Sequence, residues 1–383
     1  MNTGVYLHIP FCRKKCDYCN FYSIPVKDVN SYHNNELIDS YVNRLLREID
    51  SRSGELSGCA VDTIYFGGGT PSLIRPDYIR KLIEKIRGCF SIEKDYIEIT
   101  IECNPEDFSA ERISEYKACG INRIVLGIQT LNSRMHAIAG RSSRLCDEKL
   151  LSEFKGIDDI IHCVDLMTAF PGQTPEELSG DLDAFTRYRF EHISAYMLTV
   201  EKDTRLAGRI AEIEDGGGAQ RRLFESVMDF LTAGGYHHYE VSNFALPSFE
   251  SKHNMKYWQF MPYIGFGAGA HSFYGGERYY NPPSVNDYIE KSSPLIKDER
   301  TSNAQIVEFL MTGMRLLDGI SINDLEQKTG IRIQKELMDA FYRIKRKGCL
   351  EIEESDNDLR IRFTRDGFFM MDGLIYEMTE MLI

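Results

Sequence analysis

The sequence contains no uninterrupted apolar run approaching the ~20 residues that a membrane-spanning helix needs, so an integral membrane segment of that kind is not expected. Positive charge is also short. The 45 Lys and Arg stand against 58 Asp and Glu, a formal net charge of −13. Nonspecific binding of nucleic acid or an anionic membrane wants a basic surface, so neither is expected as a partner. The start, MNTGVYLHIPFC, lacks a basic segment ahead of an apolar stretch, which argues against a secretory signal. A cysteine motif beginning at Cys12 leaves no room for a cleaved leader, and a cytoplasmic protein is expected. No repeat at solenoid periods and no low-complexity tract is found. What remains, with 43% hydrophobic and 27% charged residues, is an ordinary soluble globular composition. At 383 residues the chain has room for one large domain and a smaller one.

Ten cysteines are present, but neither the chain length nor their spacing suits the disulfide framework of a small secreted scaffold. Cys59, Cys89, Cys103, Cys119, Cys146, Cys163 and Cys349 are scattered among apolar neighbours and read as small buried hydrophobes. Cys12, Cys16 and Cys19 differ. They fall within eight residues, directly after a candidate strand, so one loop can aim three thiolates at one metal centre. Iron–sulfur clusters normally take four cysteine ligands. A three-cysteine loop with no obvious fourth leaves one iron open, as a catalytic metal site requires. Arg13, Lys14 and Lys15 are expected to lower the thiol pKa values and offset cluster charge. The competing reading is a zinc knuckle, which usually pairs two Cys-x-x-Cys units or adds a histidine.

Through the first two hundred residues, short apolar runs alternate with helix-like stretches. Candidate strands are Val5–Ile9, Thr63–Phe66, Ile97–Ile101, Arg123–Ile128, Cys163–Met167 and Ile193–Leu198. Between them lie helical patterns at Asn35–Ile49, Arg75–Gly88, Ala110–Ala118 and Pro175–Tyr188. Such alternation implies parallel βαβ units with covered sheet faces, in a doubly wound sheet or an incomplete β/α barrel. Nearly every strand is expected to end in a polar or glycine-rich cluster: Pro10–Cys19, Gly67–Thr70, Glu102–Asn104, Gln129 and Asp165. Barrel sites gather at the C-terminal ends of strands, which favours the barrel. A glycine run near Asp215 marks a loop, Arg221–Ala233 another helix, and Tyr236–Tyr280 is rich in glycine and aromatics. From Thr301 the pattern changes: helices at Ala304–Leu317, Ile322–Lys328 and Lys335–Lys347, then strands Leu350–Glu353 and Leu359–Phe363 about a turn at Asp356-Asn357-Asp358. That is the order of a small winged-helix-like α+β domain, too acidic for DNA and read as a packing or partner module.

Gly67-Gly68-Gly69-Thr70 ends a strand with bare backbone that a ligand can approach closely, although such a run is also a common loop. Glu102, at the next strand end, can accept hydrogen bonds from a ribose diol, or be a surface carboxylate. In His253-Asn254-x-x-Tyr257-Trp258 a polar pair and an aromatic pair lie about one helical turn apart. His253 could ligate a metal while Tyr257 and Trp258 touch a flat ligand; alternatively Trp258 is core and His253 bonds locally.

CxxxCxxC after an apolar strand resembles the signature of the radical SAM superfamily, whose cluster reduces S-adenosylmethionine (SAM) to a deoxyadenosyl radical. The wider text YLHIPFCRKKCDYCNFYS resembles its coproporphyrinogen dehydrogenase and HemW heme-chaperone branch. So do YFGGGTPS, ECNPE, GINRIVLGIQT, FPGQT, YEVSNFA, HNMKYW and GFGAGAHS, in order along the chain. The resemblance implies an α/β fold, an incomplete (β/α)6 radical-SAM-type barrel with a smaller C-terminal α+β domain. Residues 1–215 would form the barrel core, 216–290 a barrel-completing region with the HNxxYW motif, and 300–383 the small domain. It implies a [4Fe-4S] cluster on Cys12, Cys16 and Cys19. It implies SAM held by Tyr6, Tyr18, Gly68, Gly69, Thr70 and Glu102, with Gln129, Arg141 and Asp165 toward a nucleoside or a second SAM, and Thr199 at a further SAM position. HNxxYW, in the heme-chaperone branch, implies heme at His253, Tyr257 and Trp258.

Two departures separate the branches. Coproporphyrinogen dehydrogenases carry one more cysteine two residues after the third, where this chain has Phe21. They also have a long segment before the first strand, whereas Tyr6 here follows five residues. Both favour a heme-binding, heme-transferring protein, with heme and acceptor haemoproteins as partners and cluster and SAM regulatory or used in release. The competing reading is oxidative decarboxylation of coproporphyrinogen III propionates. Whether one or two SAM molecules bind, and whether heme draws two copies into a dimer, stay open.

Overall fold

The computed structural model describes residues 2–26, 35–56, 58–93, 96–141, 145–209, 218–290, 295–355 and 358–382. The glycine-run loop at Asp215 and most of the turn at Asp356-Asn357 lie outside these residues. Six strands occupy the expected places: β1 (Asn2–Ile9), β2 (Ala60–Gly68), β3 (Glu98–Cys103), β4 (Arg123–Gln129), β5 (Ile161–Thr168) and β6 (His192–Met197). They neighbour one another in chain order and every pair is parallel. A doubly wound sheet would reverse its order at a switch point; this one does not, so the barrel-type alternative holds.

The crossovers are helices whose sequences specify them locally. α1 (Glu36–Ser51) begins where the Asn35 side chain accepts from Ile38 N, and it buries Ile38, Tyr41, Val42, Leu45 and Ile49 along one stripe. α2 (Pro76–Cys89) has proline in its first turn. α3 (Ala110–Cys119) is capped by Ser109 and stopped by Gly120 at φ +99°, a left-handed turn that glycine adopts without penalty. α4 (Ser133–Ile138) and α5 (Glu148–Lys155) share the next crossover, and α6 (Pro175–Arg187) opens with a reciprocal Thr174–Glu177 capping box. Their apolar stripes pack with the strands into one core that includes Val5, Phe66, Ile101, Leu126, Val164 and Ile193.

The sheet does not close. After α7 (Gly218–Ala233), β7 (His237–Glu240) and β8 (Asn243–Ala245) extend the β6 edge antiparallel. Helix α8 (Lys252–Trp258) leads to β9 (Tyr263–Phe266), which pairs parallel with β1 on the other side. Strands His271–Tyr274, Glu277–Tyr280 and Ile296–Asp298, with α9 (Val285–Glu290) among them, continue that edge. The result is a partial, barrel-like sheet. Beyond it, α10 (Ser302–Gly313), α11 (Ile322–Thr329) and α12 (Lys335–Arg346) pack with a three-stranded sheet around a second core of Phe309, Leu310, Leu325, Phe341, Ile344 and Ile361. The first of these helices stops four residues short of the expected Leu317. At Gly313 a Cβ would lie 2.5 Å from Ile320 Cγ2, and the chain turns there to bridge Leu316 to Glu240. Among the described residues no helix is long and apolar enough to cross a membrane.

Candidate cofactor site

The cysteine loop leaves β1 through the short strand Phe11–Cys12, which pairs with Ile24–Pro25. The glycine loop after β2 is joined to it by backbone hydrogen bonds, Gly69 N to Ile9 O at 2.9 Å and Thr70 N to Phe11 O at 2.8 Å. A Cβ at Gly69 would stand 2.7 Å from Phe11 O and 3.0 Å from Cys12 Sγ, and one on Gly68, at φ +115°, would meet the His8 ring at 2.6 Å. The bare backbone inferred from sequence for ligand approach therefore first serves approach of the chain to itself. The Thr70 hydroxyl donates to Cys12 Sγ at 3.6 Å and accepts from Asn104 Nδ2 at 3.2 Å.

Cys12, Cys16 and Cys19 face one cavity of about 420 Å³ at the C-terminal ends of the strands, and all three thiols are free. Gly68, Gly69, Thr70, Glu102, Gln129, Arg141, Asp165 and Thr199 line the same cavity, as does Tyr18. Arg141 ties the wall together, donating to Tyr18 Oη at 3.0 Å, Asn104 Oδ1 at 3.0 Å and Gly127 O at 2.9 Å. Gln129 ends β4 in the left-handed region at φ +68°, a strained setting for a residue with a side chain. Glu102 and Asp165 are inside their strands rather than past the ends, because β3 runs to Cys103 and β5 to Thr168. Strand alternation still turns both toward the cavity.

Burial dominates the electrostatics. It pushes the Glu102 carboxyl up to about 7, against the hydrogen bond donated by Tyr65 Oη at 2.8 Å. It pushes Asp165 up to about 6, and Asp165 Oδ1 is buried without a hydrogen-bond partner. The Cys12 and Cys19 thiols are also raised by burial, with Lys15 a small opposing influence. This corrects the expectation that the basic run would lower them. Arg13 is instead paired with Asp107 at 2.5 Å and Glu106 at 3.5 Å, Lys14 Nζ donates to Gly140 O, and Lys15 Nζ to Phe21 O.

Two groups of expected residues lie elsewhere. Tyr6 is behind the cavity wall, stacked on Tyr65, with its hydroxyl 3.1 Å from His8 Nδ1. His253 is buried farther along this aromatic column, 1% exposed, with Nδ1 2.8 Å from Thr63 Oγ1 and Nε2 2.8 Å from Tyr257 Oη. Burial holds its imidazole down at about 3, neutral, and both ring nitrogens are engaged. Trp258 points away from that column into a separate cleft against the C-terminal domain. Sequence reading places Asn104 only within the Glu102–Asn104 cluster, with no role of its own, and does not single out Tyr65, although Tyr65 begins the quoted YFGGGTPS. It also missed Tyr196 and Met197, exposed at the cavity mouth, for which no sequence signal existed.

Among the described residues no His, Cys, Asp or Glu group forms a site for a single metal ion. A polynuclear cluster offers each thiolate its own iron, and so needs three thiols facing one volume rather than one point. The donor set fits: free thiols on one wall, and on the other an unpartnered buried carboxyl oxygen that can take a hydroxyl or amine donor.

Residues 6–185 match the radical SAM superfamily and residues 301–370 the HemN C-terminal domain. The chain is similar to the heme chaperone HemW of Bacillus subtilis (strain 168), 33% identical over 368 residues, 92% of this chain and 93% of that one. It is 34% identical over 345 residues to heme chaperone HemW of Lactococcus lactis (strain IL1403), covering 87% and 86%. To that of Escherichia coli (strain K12) it is 36% identical over 272 residues, covering 70% and 69%. In fold it is similar to coproporphyrinogen III oxidase (HemN) from Escherichia coli, with TM-score 0.79 over 99% of this chain and 90% of that one, at 21% identity. That likeness speaks for the fold alone. Identity sustained along nine-tenths of both chains speaks for more: this protein belongs to the HemW family of the radical SAM superfamily.

Proposed function

We propose that the protein is a heme chaperone that binds heme and passes it to acceptor haemoproteins. The observation that carries this reading is the 33% identity to a heme chaperone HemW along 92% of the chain. Phe21 supports it: 69% exposed beside the cluster loop, it stands where the dehydrogenase branch has a further cysteine. Cys12, Cys16 and Cys19 would hold a [4Fe-4S] cluster; Gly68, Gly69, Thr70, Glu102 and Tyr18 would hold SAM, with Gln129, Arg141, Asp165 and Thr199 toward its nucleoside. When bound, the cluster supplies one electron at a time to SAM.

The chain's own residues set the conditions. The glycine loop fixes Cys12, Arg141 holds Tyr18 and Asn104 at the cavity wall, and Asp165, a lining residue, has one carboxyl oxygen, Oδ1, without a partner. An acceptor buried without a partner gains a full hydrogen bond from the ligand that reaches it.

An anaerobic assay on cluster-reconstituted protein tests the reading. Heme should bind and pass to an apo-haemoprotein, with no protoporphyrinogen formed from coproporphyrinogen III, SAM and reductant. Protoporphyrinogen formation would favour the dehydrogenase, and failure of heme to bind or transfer would remove the chaperone.

A further inference from the structure

The cavity of about 420 Å³ at the strand ends is not the largest cleft. Another of about 570 Å³ lies between the β7 edge, α8 and the C-terminal domain. Its walls include His237, Met255, Trp258, Phe309, Lys328 and Arg360. We propose that this cleft is where heme binds, with His237 Nε2 as the axial ligand, Glu250 orienting the ring, and Trp258 and Phe309 against the macrocycle. This rests on the heme reading above and assigns it a site.

His8, His162 and His253 each have both ring nitrogens engaged by neighbours. A ring so held cannot also ligate iron without breaking a buried hydrogen bond and leaving its partner unpaired. His237 is exposed and opens into the cleft, with Nδ1 3.5 Å from Glu250 Oε1. His237, on the cleft wall, thus has a carboxylate beside one imidazole nitrogen, the kind of partner that fixes tautomer and ring direction in metal-ligating histidines.

Beside the histidine, Trp258, Phe309 and Met255 offer apolar surface to a flat ligand, and Arg360 offers a cation to its anionic edge. Trp258 Nε1 is buried without a hydrogen-bond partner, and the indole carries Arg315 over its face at 5.6 Å. Of the HNxxYW motif, it is thus Trp258, not His253, that reaches a cavity. On the opposite wall Arg360 is exposed, bonded through Nη1 to Asp318 O at 3.2 Å, and Lys328 donates to Gln259 O at 2.9 Å. Asp318 and Asp324 stand on the same wall, with Asp324 3.7 Å from Lys328. Propionates are therefore expected at Arg360 rather than at the already paired Lys328.

Hemin titration of the full-length protein, followed by Soret absorbance and electron paramagnetic resonance, tests this. Wild type should show a nitrogen-ligated signature. His237→Ala should weaken hemin at least tenfold and lose that signature, with added imidazole restoring it. His253→Gln, checked for folding by circular dichroism, should keep it. Retention of affinity and signature by His237→Ala, or their loss in a folded His253→Gln, would overturn the site while leaving the heme reading intact. A wild type that binds no hemin would overturn both.

Discussion

Two carboxyl sites, one on a helix flanking the sheet and one on its strands, are treated in opposite ways. On the flank where α1 meets β9, Glu48 is 4% exposed and each oxygen has two donors. Arg52 Nη1 and Asn281 Nδ2 reach Oε1 at 2.9 and 2.8 Å, and Gly267 N and Tyr288 Oη reach Oε2 at 3.0 and 2.5 Å. At the barrel mouth, Asp165 Oδ1 has none and Glu102 is held up at about 7 by burial. A carboxylate has about four lone-pair positions. Filling all of them builds structure, while leaving them short keeps binding capacity in reserve at some cost in stability.

The comparison can be broken in several places. The largest effect is expected at the thiols: Cys16→Ala should abolish the brown cluster chromophore and SAM cleavage in reconstituted protein while leaving the melting curve of the apo protein in place. A variant that kept both would remove the ligand assignment. Glu48→Ala, which takes the acceptor from Asn281, Gly267 and Tyr288 while Arg52 keeps Glu55, should cost about 3 kcal/mol or more in denaturant unfolding; a loss under 1 kcal/mol would erase the contrast with the mouth. Asp165→Asn should leave apo stability unchanged or slightly improved, yet weaken SAM about tenfold by calorimetry. Equal losses in both would make Asp165 another structural carboxylate.

The smallest effect is one of pH. The Glu102 value near 7 lies above its ordinary 4.5, so the folded chain keeps this proton longer than the unfolded one. Its contribution to stability is complete below pH 4.5, is lost as pH rises toward 7, and changes no further above that. Asp165 and Glu240, also raised by burial, act in the same direction. The difference in melting temperature between wild type and Glu102→Gln should therefore vary between pH 4.5 and 7 and be flat beyond. A constant difference across the window would mean that Glu102 is already ionised there.

Much of the frame was legible because it is written locally. Six apolar runs became six strands, and the helical patterns at Asn35, Ala110 and Pro175 became helices, capped by Asn35, Ser109 and Thr174. The cavity residues could be grouped because parallel strands bring successive C-terminal ends to one rim. Long-range pairing was not legible. Nothing around Tyr263 signals that β9 pairs with β1, more than 250 residues earlier in the chain. Nor does a basic run reveal that its arginine will turn away to Asp107 while burial governs the neighbouring thiols. His253 illustrates the same limit: a motif gives residue types at a spacing, and only the packing of α8 against β1 and β2 decides which ring is enclosed.

The hydrogen bonds from the glycine loop to Ile9 and Phe11 bear on the timing of metal delivery. They hold Cys12 against the sheet, whereas Cys16 and Cys19 sit half-buried on a turn, joined by the bond from Cys19 N to Cys16 O at 3.2 Å. A donor protein arriving with a preassembled cluster would meet one thiol at a fixed address and two that can close afterward. Loading should then show two kinetic phases, a docking step that depends on Cys12 and a slower closure that depends on the other two.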